Sequence, residues 1–258
     1  MTGGCHVGSI TVVSAMMADT VAAADRQFPG DSGRHPSPVR LPTVMNHSEI
    51  AAEPLQYHDN AQREGANQLG MWTLIATEVL FFGGLFLAYF IYRMSYPAAF
   101  SAGSHLLDFW SGTVNTAVLI SSSLSMALAD VAIKRGRRRA MAACICCTAA
   151  LGALFLAIKF HEYNEMYHDH LVPGIDFSGP AAPQTELFVF LYFVMTGLHA
   201  LHMLVGIAAM AWLLRLNHRG RLSGAAHAPV VMVGLYWHFV DCVWVFLYPL
   251  LYLIPVLK

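Results

Sequence analysis

The chain has 258 residues, of which 56% are apolar by type and 12% are Asp, Glu, Lys or Arg, with a formal net charge of −1. Soluble domains carry about 25% charged residues. Here the apolar residues fall in long runs and the mean hydropathy is +0.50, so a water-soluble globule is excluded and a polytopic membrane protein is expected. Nucleic-acid binding is excluded by the near-neutral balance and by basic residues confined to short clusters between apolar spans. Five cysteines, three of them inside one apolar run, make no disulfide framework.

Residues 1–67 hold seven acids and four arginines and show no sustained apolar period. They are expected to form a polar, extended or disordered tail. The mildly apolar stretch Ser9–Ala24 lacks a basic leader and is interrupted by Asp19, which argues against a secretory signal; Met45 is an alternative start. Beyond the tail, apolar runs predict spans over about 68–92, 109–130, 140–160, 187–214 and 228–257. A bilayer core of about 30 Å needs roughly 20 helical residues. Lipid offers no partners for unpaired backbone groups, so each run is helical and crosses once. The expected architecture is all-α, with five transmembrane helices.

Basic residues set the orientation. Lys134, Arg135, Arg137, Arg138 and Arg139 lie between spans two and three, and Arg215, Arg219 and Arg221 between spans four and five. Both loops are expected on the cytoplasmic side, with the N-terminus inside and the C-terminus outside. The loop after span three is acidic, with Glu162, Glu165, Asp169, Asp176 and Glu186, and falls on the outer side.

A charged group near the bilayer centre costs about 2.5–3.5 kcal/mol even on a lenient insertion scale. Glu78 and Asp241 therefore need partners, protonation or a wet cavity, and His199, His202 and His238 are available. His199 and His202 share one helical face, as do His238 and Asp241. One buried polar cluster joining spans one, four and five is expected. Glue between helices, a proton or ion path, and a metal or haem site all fit such a cluster.

Other polar features point to structure. A single Glu-x-x-His unit, Glu165–His168, lies past a span with His161 and His170 nearby. A di-iron carboxylate site would need two such units on different helices, and solvated loop histidines are the expectation. Cys144, Cys146 and Cys147 lack a second pair for zinc and read as small packing residues. Asn115–Ser125 and Gly83-Gly84 suit close helix approach. The aromatics Tyr236, Trp237, Trp244, Tyr248 and Tyr252 run too deep for an interfacial belt and predict a face packed on protein or ordered lipid tails.

Several stretches then resemble subunit III of the haem–copper terminal oxidases, the cytochrome c oxidase family. They are LGMWTLIATEVLFFGGLFLAY at Leu69–Tyr89, NTAVLISSS in span two, IKFHEY at Ile158–Tyr163, TGLHALHMLVG at Thr196–Gly206 and YWHFVDCVWVFLYPLLY at Tyr236–Tyr252. The resemblance covers about 190 residues and all five spans in order. It implies a short form lacking the first two of seven helices, with the polar tail in their place. It further implies a non-catalytic subunit in the bacterial cytoplasmic membrane, packed on core subunit I with subunit II and other oxidase subunits. Haem and copper would sit in those partner subunits, and this chain would hold no metal. Ordered phospholipids would be bound, and proton uptake and durability in turnover supported.

Carried over residue by residue, the resemblance marks Glu78, His199, His202, His238 and Asp241 as the intramembrane polar cluster. Glu162 is the acid at the outer end of span three. Trp72, Arg219, Arg221 and Trp237 are expected lipid contacts. Alternatives are an accessory subunit of a nitric oxide reductase or of a quinol oxidase. An independent transporter is more distant, since internal repeats and interrupted helices are not evident, and so is a membrane metalloenzyme using the outer-loop histidines.

Overall fold

The computed structural model describes residues 60–174, 183–220, 222 and 228–253; most of the expected tail, and Arg221, lie outside them. Six helices are found among these residues. They are α1 (Asn60–Ser95), α2 (Pro97–Ser104), α3 (Phe109–Lys134), α4 (Arg138–His168), α5 (Pro183–His218) and α6 (Ala228–Tyr252). All except α2 contain a segment long and apolar enough to cross a membrane, and in α1 that segment is Gln68–Ser95. The all-helical, five-span architecture expected from the sequence is therefore the observed one.

Local chemistry sets the helix ends. Helix α1 begins at Asn60, so residues 60–67, assigned to the tail by composition, are helical. Helix α2 was not expected. Pro97 stands in its first turn, where a missing N–H costs nothing and φ is already helical. Asp108 caps α3, its carboxylate accepting from the Trp110 and Ser111 amides at 3.1 Å each. The α3–α4 turn closes in three residues because Gly136 takes φ +72°, which other residues adopt only under strain. Helix α4 continues past its apolar run to His168. His161, Glu165 and His168 thus stand on an exposed helical turn and not in a loop, with His161 Nδ1 3.5 Å from Glu165 Oε2.

The chain divides into two units, Met1–Leu74 and Ile75–Lys258. In the first, the Thr73 hydroxyl donates back to the Leu69 carbonyl at 2.8 Å. The packing that follows is that of the second.

Helices α3 and α4 form an antiparallel hairpin stitched through small polar residues. Ser125 Oγ donates to the Cys144 carbonyl at 3.0 Å, and Thr148 Oγ1 to the Ser122 carbonyl at 3.4 Å. Helix α6 docks through Trp237, which is completely buried. A Cβ placed on Gly152 of α4 or on Gly206 of α5 would approach its indole to 2.7 Å, so both positions require glycine for the ring to fit. The same indole donates Nε1–H to Ser122 Oγ at 3.1 Å. Trp244, two turns along, donates to Thr116 Oγ1 at 3.1 Å. Lipid provides no hydrophobic drive between helices, and close packing of this kind is what holds them together.

At one end of the bundle, α2 lays Phe100 between Tyr89 and Phe188, with ring centroids 5.3 and 5.4 Å away. Gly103 permits this, because any Cβ there would collide with the Phe188 ring. Tyr89 also donates its hydroxyl to the Leu250 carbonyl at 2.6 Å, satisfying one of the unpaired acceptors at the C-terminal turn of α6. The expectation for Gly83-Gly84 is not met among the described residues: a Cβ on either would meet no other helix within 4 Å. Cys146 and Cys147 are likewise exposed and not packed; only Cys144 is partly buried.

Candidate functional site

The intramembrane polar residues resolve into several places. The first joins α1 to α5. Glu78 is 2% exposed, and its Oε2 lies 3.2 Å from His202 Nε2. The other ring nitrogen, Nδ1, is 2.8 Å from the Leu198 carbonyl. A carbonyl only accepts, so Nδ1 carries a proton. Nε2 then either accepts from a protonated Glu78 or donates to its carboxylate. In both cases one proton is held between the two side chains at mid-span. Phe82 covers the imidazole edge-on at 5.3 Å.

His199 goes elsewhere. Three residues along a helix leave two side chains about 60° apart, enough to address different neighbours. His199 turns to Phe155 of α4 and Trp244 of α6, at ring separations of 5.4 and 5.3 Å. Neither of its ring nitrogens has a hydrogen-bond partner among the described residues.

The third place joins α6 to α3. His238 Nδ1 meets Ser123 Oγ at 2.7 Å. Asp241, one turn on, is 6% exposed. It lies beside Ser123, whose hydroxyl bears on the carboxyl as a side-chain hydrogen-bond partner, and both carboxylate oxygens are fully buried. Further along α3, Asp130 pairs with Lys134 at 2.6 Å.

The fourth place is the most saturated, and half of it escaped the sequence reading. Glu162 forms a buried ion pair with Lys159, Nζ to Oε2 at 2.9 Å. Tyr252 and Tyr192 both donate to Glu162 Oε1, at 2.6 and 2.8 Å, and Ser111 reaches Oε2 at 3.4 Å. Lys159 is in turn bonded to the Tyr252 hydroxyl. Its ammonium lies 4.8, 4.9 and 5.4 Å from the ring centres of Trp244, Tyr252 and Tyr192, within reach of cation–π attraction. Four helices thus meet on one charge pair. Lys159 looks like the residue that ends an apolar run; its signal is the Lys-x-x-Glu spacing, which places a cation and an acid on one helical face.

Of the expected lipid contacts, Trp72 is 61% exposed and Arg219 is exposed, as that role requires. Trp237 is not a lipid contact. It is enclosed between α4 and α5 because glycines at 152 and 206 leave a slot the size of an indole. Among the described residues no group of three or more His, Cys, Asp or Glu side chains is placed to hold a metal ion.

The sequence profile described as cytochrome c oxidase subunit III matches residues 43–255. This chain belongs to that family. Cytochrome c oxidase subunit 3 of Thermostichus vulcanus is 35% identical over 187 residues, 72% of this chain and 86% of that protein. Its counterpart in Synechocystis is 32% identical over 221 residues, 84% of this chain and 88% of the other. A protein of Aeropyrum pernix named heme-copper oxidase subunit I+III is 32% identical over 190 residues, 71% of this chain but 22% of that longer one. As a subunit III, the chain is a multi-pass membrane protein and a non-catalytic accessory subunit of a terminal oxidase. The oxidoreductase chemistry belongs to the complex.

Proposed function

We propose that this chain is subunit III of a bacterial cytochrome c oxidase in the cytoplasmic membrane, packed against core subunit I and near subunit II. In this reading the tail and the basic α3–α4 and α5–α6 connections face the cytoplasm and the C-terminus faces outward, because lysine and arginine are retained on that side. The Lys159–Glu162 end of the bundle then lies toward the outer surface. Ordered phospholipids line its exposed apolar faces, with Trp72, Arg219 and Arg221 near their headgroups.

The observation that carries the reading is the Glu78–His202 pair. It holds one titratable proton at mid-span and ties the first span to the fourth. A protonatable pair in hydrocarbon costs too much to be incidental. It supports two tasks of one kind: keeping the helix pair in register during turnover, and steadying the proton supply of the adjoining core.

A tagged chain purified from native membranes in mild detergent tests this directly. Haem absorption in a reduced-minus-oxidised spectrum, with oxygen uptake from reduced cytochrome c, is the expected result. Uptake from quinol alone would reassign the donor. Nitric oxide reduction without oxygen uptake would move the chain to a reductase complex. Absence of haem and of larger partners would overturn the assembly.

A further inference from the structure

Between the Trp237 slot and the Lys159–Glu162 pair, the helices α3 to α6 each send one side chain to the same level. The α3–α4 hairpin fixes the register. Ser122 stands opposite Thr148 and Ser111 opposite Glu162, which brings Asn115 level with the turn from Phe155 to Lys159. On α6, Trp237 meets Ser122 and Trp244 meets Thr116, so Asn115 is also level with Trp244. His199 completes the layer from α5, its ring 5.4 Å from Phe155 and 5.3 Å from Trp244. Asn115 is 0% exposed and His199 1%. Neither polar atom of the Asn115 amide and neither ring nitrogen of His199 has a hydrogen-bond partner among the described residues. The rest of the layer has nothing to offer them. Trp244 gives its N–H to Thr116 Oγ1 at 3.1 Å, Phe155 has no polar side-chain atom, and the Lys159 ammonium is held by Glu162 and Tyr252.

We propose that this layer is a binding site for internal water, held between the Asn115 amide and the His199 imidazole. Buried amides and imidazoles in native cores are hydrogen-bonded, and an acyl chain cannot serve them. The set of atoms selects the ligand. Asn115 presents a donor in Nδ2 and an acceptor in Oδ1, and the neutral imidazole of His199 presents one of each. A metal cation would meet N–H groups and no carboxylate. An anion would meet two acceptors, with the nearby Lys159 charge already taken by Glu162. Water both donates and accepts, and an internal water makes about three such bonds. The Lys159–Glu162 cluster closes its bonds with side chains; the neighbouring layer closes them with solvent.

X-ray radiolysis of the tagged, full-length chain as purified from native membranes tests this, because hydroxyl radicals formed from a bound water oxidise the rings beside it. Trp237 is the control: it is as completely buried as Trp244, and its indole bonds directly to Ser122. Oxidation of Trp244 and Phe155 with Trp237 spared, read from peptide masses, is the expected result. The labelling should be lost in the double variant Asn115→Leu/His199→Leu, which replaces both polar groups with apolar ones. Labelling of Trp244 no greater than that of Trp237 would overturn the site, and that comparison needs no variant. Labelling that persists in the double variant would overturn the role of these two residues. Unfolding midpoints in detergent give a second measure. Each single substitution strands the other group and should lower the midpoint, and the double substitution should lower it by less than the two together. Strict additivity would show that Asn115 and His199 share no ligand. The labelling reads the core of this chain whatever co-purifies with it, so its failure leaves the assembly reading untouched.

Discussion

Glu162 and Asp241 are acids of nearly equal burial, 5% and 6% exposed, in the same helical bundle. Their surroundings are opposite. Around Glu162 the protein has gathered an ammonium, two phenols and a serine, and every oxygen is occupied. Around Asp241 it has gathered a single serine, which His238 also engages. Burial alone therefore does not tell whether a polar group acts within its own chain. The partners do: Glu162 is held by four side chains of this subunit, whereas Asp241 has one serine beside it.

The comparison can be broken most decisively at Glu162. Glu162→Ala strands the Lys159 ammonium among aromatic rings, and removing one member of a buried pair costs about 3–5 kcal/mol. Loss of the folded subunit, or a large fall in its unfolding midpoint in detergent, is expected. The double change Lys159→Met/Glu162→Leu should recover much of that loss. Next in size come Gly152→Val and Gly206→Val. Each forces Trp237 from its slot and should cost about 1–3 kcal/mol by overpacking, with tryptophan emission shifting as the indole is displaced.

At the α1–α5 link, Glu78→Ala leaves a buried imidazole unmatched, for about 1–3 kcal/mol. Faster loss of the subunit during detergent washing and a shorter working life in oxygen-uptake assays should follow. Glu78→Gln keeps a hydrogen bond and should stay near wild type on both measures. The smallest effect sharpens the contrast. Asp241→Asn should change the stability of the isolated chain by less than about 0.5 kcal/mol, because the amide oxygen still accepts from Ser123. A large destabilisation there would show that the Asp241 carboxyl does more inside the chain than accept from Ser123.

Run lengths and charge gaps sufficed for the five spans, because the bilayer punishes any departure from apolar helix. The ends were harder to read. Helix α4 carries on to His168 through Lys159, Glu162 and Glu165, where its bonds continue although its apolar character stops. The Glu78–His202 pair was readable from depth and chemistry. That His199 and His238 would find different neighbours was not, since helical spacing says which residues share a face but not which helix that face meets. Trp237 failed for the same reason. Its slot is made by Gly152 and Gly206, and nothing local to position 237 marks it as enclosed.

That slot also orders assembly in time. The α3–α4 hairpin carries its own turn and its own interhelical bonds, so it can enter the membrane as a unit soon after synthesis. The indole that fills the space beside Gly152 and Gly206 arrives only with α6. Until then α4 and α5 face each other across an unfilled groove. Helix α6, made after α3, α4 and α5, is thus the one that locks them at their final distance, and a chain truncated before Trp237 should be handed to membrane proteases instead of to its partners.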